Sequence, residues 1–228
     1  MPPLGVILHV EKRQKQTLKF EIDFPKMPEA NEINSNKLFK FDSAGDYLPW
    51  LLMLAVVAVM VFQLFYQGRV WWCRGDVYTL WSGAVLSRHN SQHLFDPYTF
   101  THILHGVLYF WIATLIFKRM PVGWRLFLAV LVECSWEVLE NTNMVIERYR
   151  AVTISLDYFG DSVANSLSDV LSCTVGFLIA RKIKLWWSLA FFVLTELILL
   201  FWIHDSLLLN IIMLVYPIEA VKTWQMNL

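Results

Sequence analysis

The sequence predicts an all-α polytopic membrane protein, a bundle of about six transmembrane helices preceded by an N-terminal extramembrane arm. Hydrophobic residues make up 57% of the 228 residues, and the mean hydropathy is +0.47. Apolar runs recur along the chain at about the 20 residues that a helix needs to cross a bilayer. The 19 basic and 19 acidic residues balance, so the composition gives no reason to expect a nucleic-acid partner.

The predicted elements divide the chain at residue 46. Residues 1–46 form the arm, where Pro25 and Pro28 interrupt a short alternating run. We expect this arm to lie on the membrane surface or against another subunit. Residues 47–228 form the transmembrane domain, whose last apolar run is interrupted by Pro217. The spans are expected at about residues 47–66, 100–118, 124–144, 159–180, 185–203 and 207–224.

The distribution of basic residues predicts the orientation. With six spans, 14 of the 19 Lys and Arg residues fall on the side of the N-terminus. Basic residues concentrate on the cytoplasmic side of bacterial membrane proteins, so the N-terminus is expected on the cytoplasm or matrix side of an inner membrane, bacterial or mitochondrial. Membrane lipids are then the expected surroundings of the domain.

Two stripes of acidic residues are the unusual feature of this chain. Glu133, Glu137 and Glu140 share one face of the predicted third span, and Asp161 and Asp169 share one face of the fourth. A carboxylate at the centre of a bilayer costs on the order of 3 kcal/mol, so both stripes are expected to face inward, toward each other or toward water. The alternative is a purely structural role, in which polar side chains hold the helices together.

The expected orientation brings several of these groups to the outer leaflet, where they suit acid/base chemistry. Crowded carboxylates share protons, and one with a raised pKa can act as a general acid or base. Ser162 with a histidine and an acid would be an alternative nucleophilic triad. Glu133 is expected deeper in the membrane. The candidate catalytic residues are Glu137, Glu140, Asp161, Asp169 and Asn165.

A metal site is the other chemistry that these residue types permit. His102 and His105 are three residues apart and share one face of the predicted second span. Imidazole and carboxylate ligands suit zinc, iron or manganese, so a divalent metal is a candidate cofactor. The candidate ligands are His102, His105, Glu137 and Asp161. The three cysteines show no paired spacing and are interpreted as packing thiols.

Four stretches carry a resemblance to a known family. They read NSQHLFDPYTFTHILHG (90–106), ECSWEVLEN (133–141), ERYRAVTISLDYFGDSVANSLSD (147–169) and YPIEAVKTWQ (216–225). From residue 68 onward the chain resembles an uncharacterised family of alphaproteobacterial inner-membrane proteins, domain of unknown function 2585. The resemblance implies a small multi-span protein and no particular activity. The family pattern places a second cysteine and a histidine where this chain has Gly75 and Ser82.

Two functions are compatible with these observations. The first is an intramembrane hydrolase or transferase that acts on a lipid-type substrate at the outer-leaflet carboxylate and histidine site. The second is a non-catalytic accessory subunit of an inner-membrane complex, such as a mitochondrial respiratory complex, which would contact other subunits through residues 1–46. The cost of burying the acids favours the enzyme, whereas the long arm and the altered family positions favour the subunit.

Overall fold

The computed structural model of the chain describes residues 44–73 and 78–227, and within them every regular element is a helix. The predicted all-α class is therefore confirmed. The predicted arm lies almost entirely outside the described residues. The helices are α1 (Ala44–Tyr66), α2 (Thr99–Ile116), α3 (Val122–Glu140), α4 (Asn143–Val152), α5 (Val163–Lys182), α6 (Leu185–Trp202), α7 (Leu207–Val215) and α8 (Glu219–Gln225).

Four helices are long and apolar enough to cross a membrane, namely α1, α2, α5 and α6. The chain is therefore a membrane protein with transmembrane helices. The two central spans are the more deeply enclosed: 67% of α5 and 50% of α2 are buried, against 22% of α1 and 28% of α6. The outer helices α1 and α6 expose Leu54, Phe62, Leu194 and Phe201, as expected of surfaces that face lipid.

Helix α3 corresponds to the predicted third span but is not among these four. It carries Arg125 and three glutamates, more charged residues than any of the four spans holds in its apolar stretch. It packs instead against α1, α2 and α5, so its charged face lies inside the bundle. The helix ends at Asn141, and the chain turns there into the short helix α4, whereas the prediction carried the span to residue 144.

The expected sixth span is two short helices. Helix α7 has nine residues and α8 has seven, and residues 216–218 separate them. At a rise of 1.5 Å per residue, α7 is only about 14 Å long, less than half of the roughly 30 Å hydrocarbon layer. Pro217 explains the break, because proline lacks the amide hydrogen that would continue α7. Glu196 of α6 accepts hydrogen bonds from the amides of Leu207 and Leu208 and so anchors the start of α7.

Helices α2 and α5 form the centre of the bundle and run in the same direction. Gly106 of α2 lies directly against the backbone of Cys173, and Gly176 of α5 lies directly against the backbone of Ile103, so that a Cβ atom at either glycine would overlap the opposite helix. Glycine is required here because only a hydrogen side chain permits this approach, as at other close helix contacts in membranes. Helix α3 runs in the opposite direction beside them.

Candidate histidine and carboxylate site

His102 lies at the centre of three carboxylates. Its Nδ1 atom is 2.6 Å from Oε1 of Glu133 and 3.5 Å from Oε1 of Glu137, both on α3. Its Nε2 atom is 3.9 Å from Oδ2 of Asp169 on α5. The structure therefore brings three of the sequence-predicted residues, His102, Glu137 and Asp169, together inside the bundle.

Glu133 is the member of this group that the sequence analysis left outside the candidate site. It is completely buried, and its two oxygens lie 3.2 and 3.1 Å from Nδ1 of His105 as well as close to His102. The spacing of four residues to Glu137 indicated the shared helix face, but spacing does not fix depth relative to a neighbouring helix. We call His102, His105, Glu133, Glu137 and Asp169 the histidine–carboxylate cluster.

Several polar atoms in this region have no hydrogen-bond partner among the described residues. They include both carboxylate oxygens of the fully buried Glu137 and Oδ1 of Asp169. The hydroxyls of Ser166 and Ser168 on α5 also have no hydrogen-bond partner among the described residues. A buried polar group without a partner is costly, and natural proteins leave few of them. The orphaned carboxylates therefore indicate a site that binds something, such as water, a cation or a polar substrate group.

Asp161 lies at the start of α5 in a separate network. Asn141 donates from Nδ2 to Oδ2 of Asp161 at 2.8 Å, and the Tyr158 hydroxyl donates to Oδ1 at 3.0 Å. The amide of Asp161 donates in return to Oδ1 of Asn141 at 2.8 Å. Burial raises the pKa of Asp161, and the bonds from Asn141 and Tyr158 partly oppose that shift. Its predecessor Gly160 adopts φ +88, a conformation that suits glycine.

Asn165 and Ser162 fix the beginning of α5 rather than join the cluster. The Ser162 hydroxyl accepts the amide hydrogen of Asn165 and so caps the helix, which explains its buried position. The side chain of Asn165 donates from Nδ2 to the carbonyl of His93 at 2.9 Å and thereby ties the preceding loop to α5. Its Oδ1 atom has no partner among the described residues.

Several of these polar groups line a cavity of about 260 Å³. One part of its lining is polar and the other is apolar, with Trp136 from α3 and residues of α7 among the latter. The tyrosines 98, 149 and 158 add three hydroxyl groups. The polar lining includes His102, His105, Glu140, Asp161 and Asp169, and the apolar lining includes Leu108, Trp136, Leu207, Ile211 and Leu214. A cavity with this division suits a molecule that has a polar head and an apolar tail.

Two groups of side chains in or beside the histidine–carboxylate cluster have the spacing of metal ligands. His102, His105 and Glu133 each place one ligand atom within 4.8 Å of the others, and so do His102, Glu137 and Glu140. Imidazole and carboxylate ligands fit zinc, iron or manganese. Of the predicted ligands, Asp161 belongs to neither group and is engaged by Asn141 and Tyr158.

Two aspartates outside the spans border the cavity region and share a property. Asp96 accepts hydrogen bonds from the amides of Tyr98 and Thr99 ahead of α2. Asp205 accepts from the Tyr98 hydroxyl at 3.1 Å and from Nδ2 of Asn210 at 3.2 Å. Burial is the main cause that raises the pKa of each of these carboxyls to about 6. The two carboxyl groups therefore change their charge near pH 6, whereas an ordinary aspartate is already ionised at that pH.

Comparison with known proteins places this chain in a family. Residues 64–227, which include every residue of the site, match the profile of the family described as protein of unknown function DUF2585. The chain belongs to this family. A DUF2585 relative, the UPF0314 protein of Rhizobium meliloti, is 47% identical over 177 residues, which are 77% of this chain and 90% of the relative.

Two other relatives match this chain over a stretch of similar length. The UPF0314 protein of Brucella anthropi is 45% identical over 178 residues, covering 78% of this chain and 90% of its own length. That of Paracoccus denitrificans is 42% identical over 177 residues, covering 78% and 92%. No solved structure matches the chain. The predicted membership of DUF2585 is confirmed, and the family brings no assigned activity.

Proposed function

We propose that this DUF2585 protein is an intramembrane hydrolase or transferase that acts on a lipid-type substrate at the histidine–carboxylate cluster. The observation that carries the proposal is the condition of Glu137, a fully buried carboxylate whose two oxygens have no hydrogen-bond partner among the described residues. Such a group is costly unless a substrate, water or cation uses it. Its position beside His102 gives it a partner for proton transfer.

The cavity supports the lipid part of this proposal. Its apolar lining from Leu108, Trp136 and α7 suits an acyl chain, while its polar lining places His102 and Asp169 beside a head group. The candidate transmembrane helices α2 and α5 contribute to the cavity lining, so a lipid would reach the site without leaving the membrane. The proposed location is an inner membrane with the site toward the outer leaflet, as the basic residues predict.

The geometry suggests a division of roles between His102 and Glu137. Glu137 would accept a proton from a water molecule, or from the hydroxyl group of an acceptor molecule in a transferase. The oxygen of that water or hydroxyl would attack the substrate as the proton leaves. Glu133 orients the imidazole through Nδ1 of His102, which leaves Nε2 on the side of Asp169 to donate a proton to the leaving group. The proton taken by Glu137 then balances the proton given by His102.

A divalent zinc, iron or manganese ion fits the same residues. His102, His105 and Glu133 would hold it, and the ion would supply a bound water of lowered pKa. Glu137 and Asp169 would then keep their roles in positioning and proton transfer. Metal that the purified wild type holds and His105→Gln loses would distinguish this version of the proposal from the metal-free one.

The decisive experiment follows lipids directly. The purified full chain in lipid nanodiscs is incubated with a total lipid extract from Paracoccus denitrificans, and products are identified by mass spectrometry. We expect the wild type to release a head group or transfer one, Glu137→Gln to reduce the rate by at least about 100-fold, and the exposed-acid control Glu219→Gln to retain it. An unchanged lipid pattern with the wild type, or full activity in Glu137→Gln, would overturn the proposal.

Complementation gives a test that needs no knowledge of the substrate. The gene for the UPF0314 relative is deleted in Rhizobium meliloti, and a phenotype of the deletion strain is rescued with this chain. Glu137→Gln and Asp161→Asn should abolish rescue although both proteins reach the membrane in normal amounts. If both variants rescue fully, the site has no catalytic role.

We also propose, as a second candidate, that the protein is a non-catalytic accessory subunit of an inner-membrane complex. The favouring observation is that residues 1–46 lie outside the family match, which begins at residue 64. A segment added to a retained membrane core is suited to binding other subunits. Purification in mild detergent tests this: a complex that is lost when residues 1–46 are removed supports it, and a lone chain of 26.7 kDa plus its micelle contradicts it.

A further inference from the structure

The loop between α1 and α2 brings a thiol and two imidazoles together. Sγ of Cys73 lies 3.3 Å from Nδ1 of His89, and that nitrogen lies 3.5 Å from Nε2 of His93. One ligand atom from each of the three residues lies within 4.8 Å of the other two. Cys73 and His93 are buried and His89 is half-buried. We call these three residues the loop cluster, and it is separate from the histidine–carboxylate cluster.

Two of the three distances between ligand atoms of the loop cluster are close to those of a tetrahedral zinc site. Zinc binds cysteine sulfur at about 2.3 Å and histidine nitrogen at about 2.0–2.1 Å, so two ligand atoms of a regular tetrahedron are about 3.3–3.6 Å apart. The separations of 3.3 Å for sulfur to nitrogen and 3.5 Å for nitrogen to nitrogen fall in that range. An ion therefore fits between these atoms with little movement of the side chains.

The orientation of His93 is a second, independent indication. Its Nδ1 atom lies 2.8 Å from the carbonyl oxygen of Thr79, which can only accept a hydrogen bond. The proton of the neutral ring is therefore on Nδ1, and Nε2 presents its lone pair to the loop cluster. Metal-binding histidines are commonly held in this way, with the second nitrogen donating to a backbone carbonyl.

We propose that Cys73, His89 and His93 bind a zinc ion through Sγ, Nδ1 and Nε2, with a fourth position open to water. On binding, the Cys73 thiol releases its proton to solvent and coordinates as the thiolate. A thiolate with two imidazoles favours zinc over magnesium, calcium or manganese, which prefer oxygen ligands. This site involves none of the residues to which we assign the chemistry of the membrane cavity.

The ion would hold the loop against the start of α5. The residues beside His93 are already attached there, because the amide of Ser162 donates to the Ser91 carbonyl and Nε2 of Gln92 donates to the Gly160 carbonyl. Ser91 adopts the left-handed φ of 56 and lines the cavity. In the described part of this loop, the pairing of Trp81 with Phe95 is the single bridge. Zinc at the loop cluster would therefore stabilise one wall of the cavity.

Zinc content and X-ray absorption of the purified full chain test the proposal. After saturation with zinc and removal of excess, we expect a tightly held ion whose spectrum contains one sulfur neighbour at about 2.3 Å. Cys73→Ser and His93→Gln should each weaken zinc binding by at least about tenfold. The controls His204→Gln, outside both clusters, and His105→Gln, in the histidine–carboxylate cluster, should retain the ion with its sulfur neighbour.

Either of two results would overturn the proposal. One is a wild-type protein that holds no zinc after saturation, or holds it without a sulfur neighbour. The other is zinc that persists in Cys73→Ser but is lost in His105→Gln, which would assign the ion to the membrane cavity instead. The wild-type spectrum decides the matter even if Cys73→Ser fails to fold, and neither result bears on the lipid assay of Glu137→Gln.

Discussion

The two halves of the α2–α5 contact differ sharply. In one half, which extends from the glycine contacts near the middle of the two helices toward their ends, the backbones touch at Gly106 and Gly176, and the rings of Phe110 and Phe177 meet at right angles with centroids 5.2 Å apart. In the half near their beginnings, His102 faces Asp169 and the glutamates of α3. One pair of parallel helices therefore carries a closed apolar half and an open charged half.

This difference shows how a membrane protein can keep buried acids in place. The closed half fixes the distance between α2 and α5, because backbone atoms in contact cannot approach further. In the charged half, the hydrogen bonds of His102 and His105 join α2 to Glu133 of α3, and Glu137 and Asp169 retain oxygens without hydrogen-bond partners among the described residues. The rigid half therefore maintains an arrangement that the polar groups alone would not stabilise.

The largest effect is expected from breaking the closed half. A Cβ atom in Gly106→Ala would overlap the carbonyl of Cys173, so the helices must separate at a cost of about 3 kcal/mol or more. Gly123→Ala is the matched control, since its Cβ atom would meet the nearest atom, Cγ of Pro49, at 3.6 Å. Thermal unfolding in detergent measures both, and equal unfolding temperatures would contradict the role of the glycine contact.

An effect of similar or slightly smaller size is expected from the charged half. His102→Leu removes the closer of the two histidines that pair with Glu133 and should cost about 3 kcal/mol, because the buried carboxylate then keeps only His105 as its partner. Adding Glu133→Gln should recover part of that loss, since it removes the charge as well. Thr114→Val, in the same helix but at the closed half, removes a bond from Arg125 and should cost only about 1 kcal/mol.

The double variant makes this prediction specific to the charge. If His102→Leu with Glu133→Gln is no more stable than His102→Leu alone, the loss comes from the missing imidazole ring and not from the weakened pairing of the Glu133 carboxylate. Thermal unfolding of the wild type, His102→Leu, the double variant and Thr114→Val measures all four stabilities.

The smallest effect concerns pH at the border of the charged half. Since burial raises the pKa of Asp205 to about 6 from its ordinary value of 3.8, the folded protein binds a proton that the unfolded chain has lost. The contribution of Asp205 to stability therefore falls as pH rises through this interval and levels off above pH 6. Asp205→Asn cannot ionise, so its stability relative to the wild type should improve by about 1.4 kcal/mol per pH unit between pH 4 and 6.

The control for this pH dependence is Ser206→Ala. It removes the hydroxyl that caps α7 but no titrating group, so it should lower stability by about 1 kcal/mol at every pH. Thermal unfolding between pH 4 and 7.5 provides the comparison. A constant difference between Asp205→Asn and the wild type would show that Asp205 ionises normally in the folded protein.

Helical periodicity predicted much of the site. The spacing of Glu133, Glu137 and Glu140 placed them on one face of α3, and the expected opposite directions of neighbouring spans brought that face to His102. Helical periodicity does not give the height of a residue relative to a neighbouring helix, and for this reason Glu133 was placed away from the histidines. The relative height of two helices depends on close contacts such as Gly106 with Cys173, and these are long-range in sequence.

Two further features lay outside the reach of sequence patterns. The apolar tail predicted one span because its composition suits a bilayer, yet Pro217 divides it into α7 and α8. Cys73 was interpreted as a packing thiol because the three cysteines show no paired spacing. The loop that holds Cys73 has no periodicity, and only the folded chain shows which of its side chains meet.

The reciprocal glycine contacts also fix the register of α2 and α5. A slip of one helical turn, about 5.4 Å, would carry each glycine away from the backbone it touches and force a larger side chain into that position. The two helices therefore cannot ratchet past each other during a working cycle. Any widening of the cavity must come from its other walls, of which the nine-residue helix α7 is the shortest.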